Sequence, residues 1–308
     1  MLLSNISGVR QWPLTGTKWM KRICSLIFCL FCCVASASET PGQEVQLVKY
    51  PVNSDNPIYR LQGQYFKEIL ELALQQSGIA YQLQPVPIPT VPQSRSISLI
   101  QQGVYDVHWM ATSKEREQLV KPIRIPLFKG LIGWRLMFVH QDNVQRFSAL
   151  QGKQDLQKLT AGQGRDWPDT QVLESNGFKI FRATTTAGLL QMVSLKRVDY
   201  FPRSVIEIWH EYGLKQYDAI VIDPTFALKY PAAEYLFVRN DNQRLHEVIE
   251  RGLNKAIANG LFDELFYKYF ATTLENANLG QRKIINLSNP MMSEQTPLDR
   301  KELWYNVD

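Results

Sequence analysis

The chain is predicted to be an α/β protein built as two similar lobes, and three observations predict it. Short apolar strands alternate with helices over most of the chain, the pattern of a mostly parallel sheet covered by helices. A unit consisting of a helix, a basic or glycine turn, and Val-x-Asp or Val-Asp opening a strand occurs twice. It is "SLIQQGVYDVHW" the first time and "QMVSLKRVDYFP" the second, which sets Asp106 and Asp199 93 positions apart. The patterned region, about 270 residues from Ser38, is long enough for one large domain or two lobes.

The elements follow in order. "VQLVKY" is a short apolar strand, and turn-rich "PVNSDNP" ends it. Tyr65, Phe66, Ile69, Leu70 and Ala73 recur at helical spacing, with Gly78 where a helix commonly stops. "IAYQLQPVPI" is a strand broken by prolines, Ser94–Gln102 a helix stopped by Gly103, and "YDVHWMA" the third strand. The pattern then restarts. "GWRLMFVH", "TAGQG", "FKIFRA" and "VDYFP" read as strands, separated by helices over "SALQGKQDLQKL", "WPDTQVLESNG" and "TAGLLQMVSLKR". "SVIEIWHEYG" is a helix, "YLFVRND" a strand, and "QRLHEVIERGLNKAIANG" a long amphipathic helix ending at Gly260. "LFDELFYKYF" is a last short helix, and from Ala271 a polar tail with one apolar patch, "KIINL", lies over the body.

The amino terminus reads as a leader. "KWMKRICSLIFCLFCCVASA" places cationic residues before an apolar run from Ile23 to Val34 and then Ala35-Ser36-Ala37, the layout of a signal peptide with an A-x-A cleavage site. The run is shorter than the roughly 20 residues a membrane-spanning helix needs, which disfavours the alternative of a retained anchor. Met20, followed directly by Lys21 and Arg22, is the better start, and residues 1–37 are expected to be removed. All four cysteines lie in this leader, so the mature chain is expected to have no disulfide, thiolate metal site or cysteine nucleophile. Four of the 34 basic residues are there too, which leaves 30 against 29 acidic ones. A nearly neutral mature chain supports neither a nucleic-acid partner nor a polybasic membrane contact. The expected location is the periplasm, as a soluble monomer.

Signatures of catalysis are missing from the mature sequence. It has no G-x-S-x-G elbow, P-loop or H-E-x-x-H, and "GQGRDW" lacks the third glycine of a dinucleotide site. His108, His140, His210 and His246 are dispersed, with no pair at metal-ligand spacing. No enzyme, cofactor or metal is therefore expected. What remains is binding chemistry at the carboxyl ends of strands, where open α/β sheets hold ligands. Thr112 and Glu115 have capping-box spacing, so a helix start with unpaired amides follows the third strand, and Arg116 sits in its first turn. A cation there is explained either by an incoming carboxylate or by balance from Glu115 or Glu117. Asp106, after the turn at Gly103, reads as a structural acceptor rather than a base. Gly162-Gln163-Gly164 allows close backbone approach, Asp166 or Asp169 caps a helix from Trp167 or Pro168, and Ser204 with Glu207 is a second capping box beside Arg203. Trp109, Trp167 and Tyr200 offer flat contact surface. The candidate ligand-binding residues are Tyr50, Trp109, Thr112, Arg116, Gln163, Gly164, Arg165, Trp167, Tyr200 and Arg203.

"GVYDVHWMATSKERE", "LIGWRLMFV", "AGQGRDWPDTQVL", "SLKRVDYFPRSVIEI" and "GLNKAIANGLFDELFYKYF", in this order from Val45 to Phe270, resemble the type II periplasmic solute-binding proteins, the amino-acid receptors associated with ABC importers. The resemblance implies two α/β lobes with ligand in the cleft between them. Lobe one would span about 44–135 plus 234–272, lobe two 136–233, and an extension 273–308. Two hinge strands would cross near Trp134–Val139 and Tyr235–Val238. It implies that Arg116 holds a ligand carboxylate, and that a permease or a signalling protein in the membrane reads the closed form. The family's ammonium-binding acid does not carry over, since the equivalent position is Ser204 with Arg203 before it. "GQGRDW" also replaces the usual glycine-threonine pair. Both departures point to a carboxylate-biased cleft, or to an aromatic or unusual metabolite. The alternatives are a dehydratase-like enzyme using Asp106, Asp166 or Glu207, and a sensory receptor.

Overall fold

In the computed structural model, residues 45–53, 57–89, 93–214 and 217–307 are described here; the leader lies outside them. β1 (Gln46–Val52) and β2 (Tyr81–Pro87) run parallel, joined by the crossover helix α1 (Pro57–Ser77). Tyr65, Phe66, Ile69, Leu70 and Ala73 are all buried on its inner face, as a 3.6-residue period requires. The helix stops before Gly78, whose φ of +78° is the left-handed conformation that glycine adopts without a steric penalty. α2 (Gln93–Gln101) leads through a turn at Gly103 to β3 (Val107–Ala111). Then come the short helix α3 (Lys114–Leu119) and β4 (Lys121–Ile123).

The chain next enters a larger sheet. β5 (Trp134–His140) is buried at all seven positions. After it come α4 (Val144–Ala149), α5 (Lys153–Leu156), β6 (Thr160–Gly164), α6 (Pro168–Ser175), β7 (Lys179–Ala183) and α7 (Thr186–Ser194). β8 (Tyr200–Ser204), α8 (Ile208–Gly213), β9 (Ile220–Ile222) and β10 (Phe226–Lys229) complete this passage. β11 (Glu234–Val238) then returns to the first lobe, lying antiparallel between β3 and β4. α9 (Gln243–Ala258) and α10 (Leu261–Ala277) follow it. α9 approaches α1 so closely that a Cβ on Gly252 would fall 1.8 Å from the Ala73 carbonyl oxygen. Finally β12 (Lys283–Asn286) pairs parallel with β10, giving the order β12-β10-β5-β8-β6-β7, with β9 also paired to β5.

The repeat seen in the sequence has a structural counterpart. Asp106 donates its N–H to the Lys49 carbonyl and accepts the Lys49 N–H on its carboxylate, both at 2.8 Å. Asp199 does the same with Thr160, at 3.0 and 2.8 Å. In each lobe one aspartate thus closes a ring with the neighbouring strand.

Several expectations are corrected. The sheets are mixed rather than mostly parallel, because β5 and β11 run against their neighbours. Both strands are reached by connections without a crossover helix, and a parallel pairing needs one. The strands expected to cross between lobes each lie within one sheet, and the chain passes between the sheets in 124–133 and 230–233. The helix expected over Ser148–Leu159 is two short helices parted at Leu150-Gln151-Gly152. That over Ser204–Gly213 begins only at Ile208, because Ser204 is still in β8 and its hydroxyl donates to the Leu131 carbonyl at 3.2 Å. The last helix runs on to Ala277, and "KIINL" supplies β12.

Candidate functional site

After β3, Thr112 stays in the strand ladder, its N–H on the Ala233 carbonyl at 2.9 Å and its hydroxyl on Glu117 at 2.6 Å. The helix cap therefore falls one residue later than expected. Ser113 accepts the Arg116 N–H at 3.3 Å, and Glu117, not Glu115, closes on the threonine while also pairing with Arg124 at 2.7 Å. The Arg116 guanidinium curls back, donating to the Ala111 carbonyl. Burial lowers its pKa, and Glu234 and Glu115 are the charges that oppose this. His108, between the rings of Tyr105 and Trp109, is pushed down to about 3 by burial, so it is a neutral imidazole.

The second lobe brings a denser set of charges to the same region. β8 alternates, so Phe201 and Arg203 face Trp167 while Tyr200 faces the opposite layer. The Trp167 ring stacks on Phe201 at 6.1 Å and lies 4.7 Å from the Arg203 guanidinium. Gly164 makes this possible: a Cβ there would come within 2.2 Å of the indole. Gln163 is buried, with its amide donating to the Pro202 carbonyl at 3.3 Å. Arg203 donates to both oxygens of Glu211, the closest at 2.6 Å, and pairs with Glu207 at 3.2 Å. Arg135 pairs with Asp169 and stands 3.6 Å from Glu207, and the Tyr230 hydroxyl donates to Asp169. Among the described residues, Glu207 Oε2 and Arg135 Nε are buried atoms with no hydrogen-bond partner.

Glu234 opens β11, directly after the second connection between the sheets. Burial and the nearby carboxylates of Glu207 and Asp169 push its carboxyl up to about 7, against the pull of Arg116 and Arg135. The sign follows. A carboxyl with a raised folded pKa holds its proton in the fold while the unfolded chain has released it. Stability is therefore lost as pH rises from the ordinary carboxyl value to about 7. Glu234→Gln is expected to flatten that slope and to stabilise the protein at pH 8 by about 1 kcal/mol or more. Urea unfolding at pH 5 and pH 8 checks it, and a variant with the wild-type slope refutes it.

The structure thus gathers Gln163, Gly164, Trp167 and Arg203 in one cluster, while Arg116 is linked to its charges only through the Glu234 carboxyl, which feels both. The other candidates lie elsewhere. Tyr200 is fully buried in the core against Phe147, its ring 5.8 Å away. Tyr50 is buried on β1 facing α1, where Lys67 and Glu71 are its charged neighbours. Trp109 stacks on Phe66 at 4.5 Å, Thr112 has its hydroxyl taken by Glu117, and Arg165 is exposed with its N–H on the Ala183 carbonyl. Arg203 itself is neutralised internally, so it holds Trp167 and Glu207 in place instead of offering a free guanidinium. Of the acid candidates, Asp106 is the structural acceptor expected, Asp166 is exposed, and Glu207 is in the cluster. Arg135, Tyr230 and Glu234 escaped the sequence reading. A lone arginine inside "GWRLMFVH" was the available signal, since a buried charge demands a partner.

Neither the protein-family models nor the curated proteins give a match. Solved structures do. A probable amino-acid ABC transporter extracellular-binding protein, YtmK of Bacillus subtilis, is 16% identical with a TM-score of 0.55, covering 73% of this chain and 98% of its own. The BvgS VFT2 domain of Bordetella pertussis (a double mutant) is 16% identical at a TM-score of 0.52, covering 72% and 93%. An ancestral arginine-binding protein bound to arginine is 17% identical at 0.50, covering 73% and 98%. With three helix-flanked sheets, two of them in the first half and one in the second, and two connections between the halves, the chain has the two-lobed fold of the type II periplasmic binding proteins.

Proposed function

We propose that this protein is an exported solute receptor. It captures a small amino-acid-like, carboxylate-bearing metabolite between its lobes, closes by a hinge motion, and presents the closed form to a membrane partner, an ABC importer. The lobes meet across 124–133 and 230–233. The observation that supports this reading is electrostatic: the Glu234 carboxyl at the start of β11 feels the charge of Arg116, which follows β3, together with that of Arg135, Asp169 and Glu207, which are grouped by ion pairs on the larger sheet. Such a set offers a guanidinium to a carboxylate and carboxylate oxygen to an ammonium group, which a zwitterion satisfies together. Two of the similar structures are named for binding amino acids or for amino-acid transport, which agrees with it. No helix among the described residues is long and apolar enough to cross a membrane.

Native mass spectrometry of the gently purified protein tests the reading, followed by unfolding and identification of what is released. The expected result is one small carboxylate-bearing molecule per chain, which raises Tm when added back. A protein that retains nothing, and whose Tm no amino acid or organic acid shifts, refutes it. A second reading rests on Glu234, whose pKa of about 7 suits a general acid or base. Conversion of the released molecule by fresh protein would establish that enzyme instead.

A further inference from the structure

We propose a second ligand site behind the crossings, for a small planar organic anion with an aromatic body. The carboxyl-terminal segment builds it. After β12, Asn289 donates to the Pro231 carbonyl at 2.8 Å, and the Met291 carbonyl accepts from Lys114 at 3.3 Å. The Tyr305 N–H then reaches the Lys129 carbonyl at 2.7 Å. The segment therefore touches both crossings and the helix that bears Arg116. Between it and the crossings lies a cavity of about 460 Å³, within the range of small-molecule sites.

The walls define what fits. Trp134, Tyr230, Trp304 and Tyr305 line it, and Lys129, Lys229 and Lys301 bring positive charge, while among the described residues none of those lining it is acidic. Lys129 is neutralised by Asp263. For Lys229 no ion pair is found among the described residues: its ammonium lies 4.5 Å from the Trp134 ring and 2.9 Å from the Asn306 side-chain oxygen. Burial lowers its pKa, the mark of an ammonium short of compensating charge. An aromatic anion supplies both the missing charge and a face for the rings. A neutral ligand would leave Lys229 as it is.

The probe is 8-anilinonaphthalene-1-sulfonate, titrated by fluorescence against the whole mature chain. One dye is expected per protein, displaced by benzoate and not by benzyl alcohol. Lys229→Met is expected to weaken binding at least tenfold, and Leu298→Trp to abolish it by filling the mouth, where Leu298 is half exposed. Arg116→Ala is expected to leave the titration unchanged, which separates this site from the cleft. Unaltered binding in both Lys229→Met and Leu298→Trp overturns the proposal. So does loss of binding in Arg116→Ala, or equal displacement by benzyl alcohol. If Lys229→Met fails to fold, Leu298→Trp and the benzoate comparison decide.

Discussion

Replacing Arg203 with methionine is expected to cost about 3–5 kcal/mol of folding stability, the range for breaking one side of a buried ion pair. The magnitude comes from what remains. Glu211 is 6% exposed and takes three hydrogen bonds from the Arg203 guanidinium, and the variant leaves that carboxylate with no ion-pair partner among the described residues. Burial already pushes the Glu211 carboxyl up, with Arg203 opposing, so its removal raises it further. The loss is then small at low pH, where the carboxyl is protonated in both states, and grows as pH rises above the ordinary carboxyl range. Arg203→Met combined with Glu211→Leu is expected to recover most of it, because an apolar pair of similar volume avoids the desolvation cost. Urea unfolding of the single and double variants checks both statements. A single-variant loss below about 1 kcal/mol would place this pair among exposed ones, which are worth little.

Arg116→Ala is expected to weaken ligand binding by about 2–5 kcal/mol, roughly 30- to several-thousand-fold. The ligand meant is the one that the mass-spectrometric test is expected to release. Among the described residues one guanidinium nitrogen is bonded, to the Ala111 carbonyl, which leaves the rest of the fork for a carboxylate. Arg116→Lys keeps the charge without the bidentate geometry and is expected to fall between alanine and wild type. Calorimetric titration reads the effect, and unchanged Tm without ligand separates it from misfolding. A change under fivefold takes Arg116 out of the site.

How far each residue's role could be read depended on how far away its partners lie. The α1 face was legible because its five apolar residues fall within one helix, and the Asp106–Asp199 repeat because two lobes were built with one local motif. The Thr112 cap was misplaced by one residue because Ala233, 121 positions further on, extends the strand ladder past it. Tyr50, Trp109 and Tyr200 read as contact surface, since aromatic side chains serve the core and the cleft alike and the sequence does not tell which face of a strand points where. The structure assigns them to the core or to ring stacks.

By itself the sequence determined the alternation of strands and helices, the duplicated plan and the end of the strand at which Arg116 sits. These are patterns of period two or 3.6, written in neighbouring residues. Only the tertiary structure decided that Arg203 is bound to Glu211, that Glu207 and Glu234 face the arginines, and that the tail walls a cavity behind the crossings. Those outcomes depend on pairs of charges, and a charge in a sequence has a sign but no direction. Its role appears when folding removes water from around it and fixes which opposite charge stands within reach.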